Sequence, residues 1–319
     1  RDCLLSRGLG DVYKRQGYIA GWKIVGALPT PLTARAAEWA ADRASGEGAG
    51  MEMLRRNLTR VVGPENVTRE LVRDAMRSYA RYWLEAFRLP RMAGDPGLNA
   101  TLSSGVVGRE HLDAAVTRGK GVVLTLPHTG NWDMAGTWLA ENYGGFTTVA
   151  ERLEPEALFD AFVQFRESLG FDVVPLTGGE QPPFEGLKDV LAGGGIVCLL
   201  GERDFSGHGV PVTFFGEDTT FPVGPAKLAR DTGATLLVAH SWFTGTRRRP
   251  GWGFSISAPV EVTTLADTAQ QVADQFADNI AAHPADWHML QPLWPADAPK
   301  PSRRRELERR LWKRRAQGR

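Results

Sequence analysis

A chain of 319 residues, 42% hydrophobic and 24% charged, is long enough to bury a full core and too apolar for a disordered segment. Its two cysteines, Cys3 and Cys198, supply neither a disulfide framework nor metal-ligand spacing, and they fit a reducing compartment. The net charge of +1 conceals an asymmetry: residues 303–319 carry nine Lys/Arg against two Glu, or +7, so the remainder carries −6. Such a tail suits an anionic partner, acidic headgroups or nucleic acid, and equally a solvated helix end.

Residues 1–16, RDCLLSRGLGDVYKRQ, show no periodicity and look foreign to the rest of the chain, resembling translated adapter sequence; they are set outside the fold. Residues 18–28, YIAGWKIVGAL, are apolar but about half the roughly 20 residues a membrane span needs, so they read as an interfacial or core helix. From Thr33 to Phe87 apolar positions recur at helical spacing, as at Leu71, Ala75, Tyr79 and Tyr82. Strands are then predicted at Val122–Leu126, Phe146–Val149, Asp172–Pro175, Ile196–Leu200, Leu236–His240 and Phe254–Ile256. Between and after them helices are predicted over 132–142, 155–169, 185–192, 224–232 and 267–282. Strands alternating with helices predict an α/β fold: one domain over 17–302, a mainly parallel sheet flanked by helices on both faces, and a helical N-terminal section. Residues 303–319 form the basic tail.

In open α/β sheets, sites gather at the carboxyl ends of strands. Val122–Leu126 is followed by Pro127 and His128; Ile196–Leu200 is followed by Gly201 and Glu202. If the two strands are parallel and close, His128 and Glu202 project together, and a carboxylate beside imidazole fixes its tautomer for general-base work. A histidine at a strand tip is structural as often as catalytic. The stretch His128-Thr129-Gly130-Asn131-Trp132-Asp133 then sets His and Asp five apart across a strand-to-helix turn, although Asn131 or Asp133 would also serve as a helix cap.

The blocks HTGNWDMAG, ERLEPEALFDAFVQFRESLGFDVVPL, GERDFSGHGVPVTFFGE, PVGPAKLAR and HPADWHMLQPLW, in that order, resemble the phosphatidylinositol mannoside acyltransferases of actinobacteria, within the larger family of lipid A biosynthesis acyltransferases. The resemblance implies transfer of a long acyl chain, typically palmitoyl from palmitoyl-CoA, to a mannose hydroxyl of a phosphatidylinositol mannoside. It implies a His/Glu pair, matched here by His128 and Glu202, with no cofactor beyond the acyl-CoA co-substrate. Glu151 and Arg166 fall in a matching block and are expected to shape the site, Arg166 alternatively being a surface ion pair. Backbone amides near Gly130 and Asn131 are the expected oxyanion donors.

The loop after Glu202 offers Arg203, Ser206 and His208 to phosphate or pantetheine oxygens, or is an ordinary surface loop. Lys227 and Arg230, on a helix opened by Pro222-Val223-Gly224-Pro225, are a second anion candidate or a solvated face. Peripheral attachment to the cytoplasmic face of the plasma membrane, through the apolar start and the basic tail on an anionic leaflet, is a further expectation. Other readings are an acyltransferase on another glycolipid such as a lipid A precursor, a nucleic-acid binder using the tail, and a sugar-nucleotide glycosyltransferase. The chain has no recognised nucleic-acid module, no Gly-x-Gly-x-x-Gly after the first strand, no Asp-x-Asp and no Gly-x-Ser-x-Gly elbow, so no nucleic-acid partner is expected.

Overall fold

Glycine and proline cut the N-terminal helical stretch into three: α1 (Thr30–Ala44), α2 (Glu52–Val62) and α3 (Arg69–Arg88). The computed structural model describes residues 26, 28–150, 156–176, 183–204, 207–246 and 249–298, the side chains of 156–161 excepted. The foreign-looking start, most of the apolar 18–28 segment and the basic tail lie outside the described residues. α3 is capped by Thr68, whose side chain accepts from the Leu71 amide. Its buried face carries Val72, Ala75 and Met76, then Ser78, Tyr82 and Glu85, polar groups that reach toward the middle of the molecule.

Helices α4 (Pro96–Ser104) and α5 (Arg109–Thr117) flank the two-residue β1 (Val106–Val107) and lead into β2 (Val122–Leu126). The chain continues through α6 (Trp132–Tyr143), β3 (Phe146–Ala150), α7 (Glu156–Glu167), β4 (Phe171–Pro175), α8 (Pro183–Ala192) and β5 (Ile196–Leu200). A hairpin comes next, β6 (Val210–Phe214) and β7 (Glu217–Phe221), then α9 (Gly224–Thr232), β8 (Thr235–Thr246), β9 (Arg249–Ile256) and α10 (Leu265–Ala282). Seven strands form one sheet in the order β1-β9-β8-β2-β5-β3-β4, parallel except for the β8–β9 pair.

Successive side chains point to opposite faces of a strand, so each strand feeds two cores. Val122, Leu124 and Ile196 join α4–α7 on one face; Val123 and Val197 join α8–α10 and the hairpin on the other. The fold class and the six predicted strands agree with this architecture. The sequence pattern stops β8 at His240, whereas the strand runs to Thr246, because its exposed end (Thr244-Gly245-Thr246) pairs through backbone with β9 and has no apolar pattern. The pattern gives no sign of the β6–β7 hairpin either. Its turn is Phe215-Gly216, both at positive φ, the two-residue geometry that matches strand twist, but with Phe where Asn or Asp usually advertises it.

The segment after α10 is pinned back onto α2. Asn57, fully buried, donates through Nδ2 to the carbonyls of Met289 (2.8 Å) and Gln291 (3.0 Å). Asn57→Ala deletes both donors and leaves the buried Met289 carbonyl and the partly buried Gln291 carbonyl without them. It should lower unfolding free energy by about 2 kcal/mol, read as a reduced urea midpoint at constant slope; an unchanged midpoint would contradict the anchoring role.

Candidate active site

β2 and β5 pair in parallel with Val122 opposite Ile196 and Leu126 opposite Leu200, so both reach the same rim together. The ladder continues one step, Gly201 N–H donating to the Leu126 carbonyl at 2.9 Å. This register delivers His128 and Glu202 to one place: His128 Nδ1 lies 2.8 Å from Glu202 Oε1, which also accepts the His128 backbone N–H. A carboxylate only accepts, so the bond puts the ring proton on Nδ1 and leaves the Nε2 lone pair free to take a proton. Glu202 is wholly buried, whereas 18% of the His128 side chain is exposed. The base is therefore reachable and its orienting group is sealed off.

The turn carrying His128 is braced from three sides. Thr129 forms an isolated bridge with Trp287, the His128 carbonyl accepts from the His288 amide at 2.8 Å, and the Thr129 carbonyl accepts from the Ser241 hydroxyl. Gly130 has φ +54°, and a Cβ there would lie 2.6 Å from the Ser241 backbone, so only glycine fits. The Gly130 amide, expected as an oxyanion donor, instead donates to the Asp286 carbonyl at 2.9 Å. That expectation is corrected: the bracing of the turn consumes this donor.

Asn131 caps α6, its Oδ1 accepting from Met134 N–H at 3.0 Å, while its Nδ2 donates to Glu85 Oε2 at 2.7 Å. Both ends of the amide are engaged, and the residue is fully buried. Asp133, also buried, accepts from Tyr82 OH (2.9 Å) and Arg166 Nε (2.9 Å). Arg166 is thus a buried partner of Asp133, with its guanidinium over the Phe162 ring at 4.4 Å, and not a surface ion pair. Burial alone would lower its pKa, but the Asp133 carboxylate and the Tyr82 hydroxyl raise it.

An apolar cavity of about 90 Å³ lies between α6 and the sheet, lined by Leu124, Leu126, Gly136, Phe146, Phe171 and Leu200 among others. Asp133 and Arg166 form part of its wall, as does Trp132. The Trp132 ring stands edge-on to His128 with centroids 5.5 Å apart, linking the cavity to the base. Cys198 also lines it, and burial pushes that thiol up. A histidine held by a carboxylate beside an apolar slot suits proton removal from a hydroxyl next to a bound hydrocarbon chain.

The model of the bacterial lipid A biosynthesis acyltransferase family matches residues 13–296. The phosphatidylinositol mannoside acyltransferase of Mycolicibacterium smegmatis is 52% identical over 294 residues, 91% of this chain and 94% of the relative. That of Mycobacterium tuberculosis CDC 1551 is 52% identical over 297 residues, covering 92% of each chain. The chain belongs to the bacterial lipid A biosynthesis acyltransferase family. It is an O-acyltransferase, working between an acyl donor and a lipid acceptor.

The other predicted residues of this acyltransferase fall in different places. Glu151 and Ser206 lie outside the described residues. Arg203 is half-buried directly after Glu202, and His208 is exposed farther along that loop, which Asp204 ties down by accepting from the Gly207 and Gly209 amides. Arg230 is elsewhere: it borders a hollow with Gly233–Leu236, at the start of β8, and β8 begins beside the start of β2. It therefore sits at the opposite rim from His128 and, like Lys227, pairs with Asp231. The helix pattern places Lys227 and Arg230 correctly on α9, but the crossover directs the end of that helix away from the active rim.

Sequence reasoning misses the network behind the turn. Ser78 donates to Asp286 Oδ1 at 2.6 Å and meets His288 Nε2 at 2.9 Å, while Asp286 Oδ2 accepts the Phe243 amide at 2.9 Å. Its one trace in the sequence is Asp286-Trp287-His288, inside the block HPADWHMLQPLW. Burial lowers His240 and His288 to about 3, with His283 and His128 adding to the effect at His240 and His288 respectively. Both stay neutral in the fold, whereas unfolded imidazoles protonate below about pH 6.5. Stability is thus intact above that pH and falls as pH drops toward 3, by about 1.4 kcal/mol per histidine per pH unit. His240→Gln should remove one such contribution. Denaturant titrations from neutral to acid pH should show a shallower slope for the variant than for the wild type; parallel slopes would mean that His240 titrates in the fold.

Proposed function

We propose that the enzyme moves a palmitoyl group from palmitoyl-CoA to a mannose hydroxyl of a phosphatidylinositol mannoside, with His128 as general base oriented by Glu202. The observation that carries this reading is the His128 Nδ1–Glu202 bond beside the apolar cavity. Its acceptor is suggested by the names of the mycobacterial relatives.

In this mechanism His128 Nε2 takes the proton of the acceptor hydroxyl as its oxygen attacks the thioester carbonyl carbon. The tetrahedral intermediate collapses with cleavage of the carbon–sulfur bond, and the proton passes from the imidazolium to the departing thiolate. Glu202 holds the ring in place and stabilises the imidazolium, help worth roughly 10²- to 10⁴-fold in rate. The acyl chain occupies the cavity beneath α6. Asn131 and Asp133 position the turn and the cavity wall, and Arg166, Arg203 and His208, with Glu151 and Ser206, are assigned to binding of the acyl-CoA or the acceptor. Arg230 has no part in this scheme, which needs no cofactor beyond the co-substrate.

No described helix is long and apolar enough to cross a membrane. Leu28, Leu32 and Trp39, on and just before α1, are exposed apolar side chains. Together with the tail of net +7 they support a peripheral position at the anionic cytoplasmic leaflet, each basic residue near it contributing about 1 kcal/mol. Sedimentation with phosphatidylinositol-containing vesicles should weaken as salt rises; equal binding to neutral vesicles would refute the electrostatic part.

His128→Ala should abolish transfer from palmitoyl-CoA with the fold retained by circular dichroism, and Glu202→Gln should lower kcat at least tenfold. Wild-type turnover in His128→Ala would end the reading. Transfer to a lipid A precursor in preference to the mannoside would correct the acceptor alone.

A further inference from the structure

A second hollow, of about 630 Å³, opens between α1, α3 and the β8–β9 hairpin, a volume ordinary for a ligand site. Three arginines of α3 line it: Arg77, Arg81 and Arg88. Two of them are already committed. Arg77 holds both oxygens of Asp42 at 2.6 Å, and Arg81 donates to Glu85 at 2.7 Å while lying over the Phe243 ring at 4.0 Å. The carboxylates that share the lining are committed too. Glu85 accepts from Arg81 and Asn131, Asp286 accepts from Ser78 and the Phe243 amide, and the charges of Asp74 and Glu38 act on Arg77.

Arg88 is different. Its guanidinium donates to Thr33 Oγ1 at 2.8 Å and to the Leu28 carbonyl at 2.7 Å, both neutral oxygens. Among the described residues no carboxylate acts on it: burial, and then the neighbouring cation of exposed Arg91, push its pKa down. A half-buried cation beside a second cation, with no counter-charge, costs stability until an anion completes the arrangement. Two bonds also leave further N–H donors of the planar fork for a bidentate partner.

The surroundings of this cation point to the kind of anion. Leu28, whose carbonyl Arg88 holds, is 46% exposed, and Leu32, one turn further on, is 62% exposed. The Arg91 guanidinium lies against Gly26, where a Cβ would be 3.2 Å from Arg91 Nη1. Both guanidinium groups therefore sit at the end of the apolar 18–28 segment, beside side chains suited to hydrocarbon. Apolar side chains bordered by arginine are what an element lying at the level of lipid headgroups presents. We propose that Arg88, supported by Arg91, grips the phosphate of a phospholipid headgroup seated in this hollow, with Leu28 and Leu32 in the adjoining bilayer. This rests on the peripheral membrane position proposed above. The fork offers parallel N–H···O bonds, so the site recognises phosphate geometry and not charge alone.

The test is cosedimentation of the full-length protein with phosphatidylcholine vesicles that contain phosphatidylinositol, at fixed salt. Arg88→Gln should weaken binding roughly tenfold, and Arg88→Lys, which restores the charge without the fork, should recover only part of it. Arg230→Gln removes the same charge at the opposite rim and should leave binding unchanged. Thermal unfolding gives a second reading: glycerophosphoinositol should raise the wild-type midpoint more than inorganic phosphate does, and Arg88→Gln should abolish that rise. Equal vesicle binding by wild type and Arg88→Gln, or full recovery by Arg88→Lys, overturns the inference. Equal stabilisation by inorganic phosphate, with vesicle binding indifferent to Arg88, would place free phosphate there and overturn the lipid assignment. A wild type that ignores these vesicles altogether would instead overturn the peripheral position itself.

Discussion

One hydrogen bond organises this molecule: the contact between the His128 ring and the sealed carboxylate of Glu202. It exists because two parallel strands are paired with no offset, so that each leaves the sheet at the same level and hands on its polar residue two positions later. A slip of one residue would turn both strands' side chains to the wrong faces and misplace the histidine relative to its partner. The close-packed alternation of Val, Ile and Leu in β2 and β5, shared between two cores, makes such a slip costly. Stability of the sheet and geometry of the site are the same property.

Around that bond the turn is held mainly through its own backbone groups. The residues after β2 form hydrogen bonds to Asp286, His288 and Ser241, segments far apart in sequence, and the arrangement holds the imidazole on a short rigid turn. Behind it, buried polar groups satisfy one another: Tyr82 and Arg166 on Asp133, Asn131 and Trp252 on Glu85, Ser78 on Asp286. A site held by such a shell keeps its geometry through the approach of a large, flexible lipid.

Much of this is legible in the chain. The apolar runs at 122–126 and 196–200 announce buried parallel strands, and the residues two positions beyond each predict the His/Glu pair from placement alone. The two ends of Asn131 and the buried pairing of Asp133 with Arg166 are only half legible, because a cap and an ion pair use the same residue types as a site. Lys227 and Arg230 mislead for a topological reason: helix periodicity says which residues share a face but not which rim of the sheet that helix approaches. The brace formed by Ser78, Asp286 and His288 leaves little local signal, since Ser78 lies more than two hundred residues before the other two and meets them only through the packing of α3 against the segment after α10. The Phe215-Gly216 hairpin is hidden by an atypical turn residue.

The central claim concerns where a proton sits. In ¹⁵N-labelled enzyme, nitrogen NMR of the neutral form of the His128 ring should report a protonated Nδ1 and a bare Nε2, and Glu202→Gln should disturb that preference. A His128 ring protonated on Nε2 in the wild type would contradict the account, because the atom assigned to accept the acceptor's proton would already be carrying one.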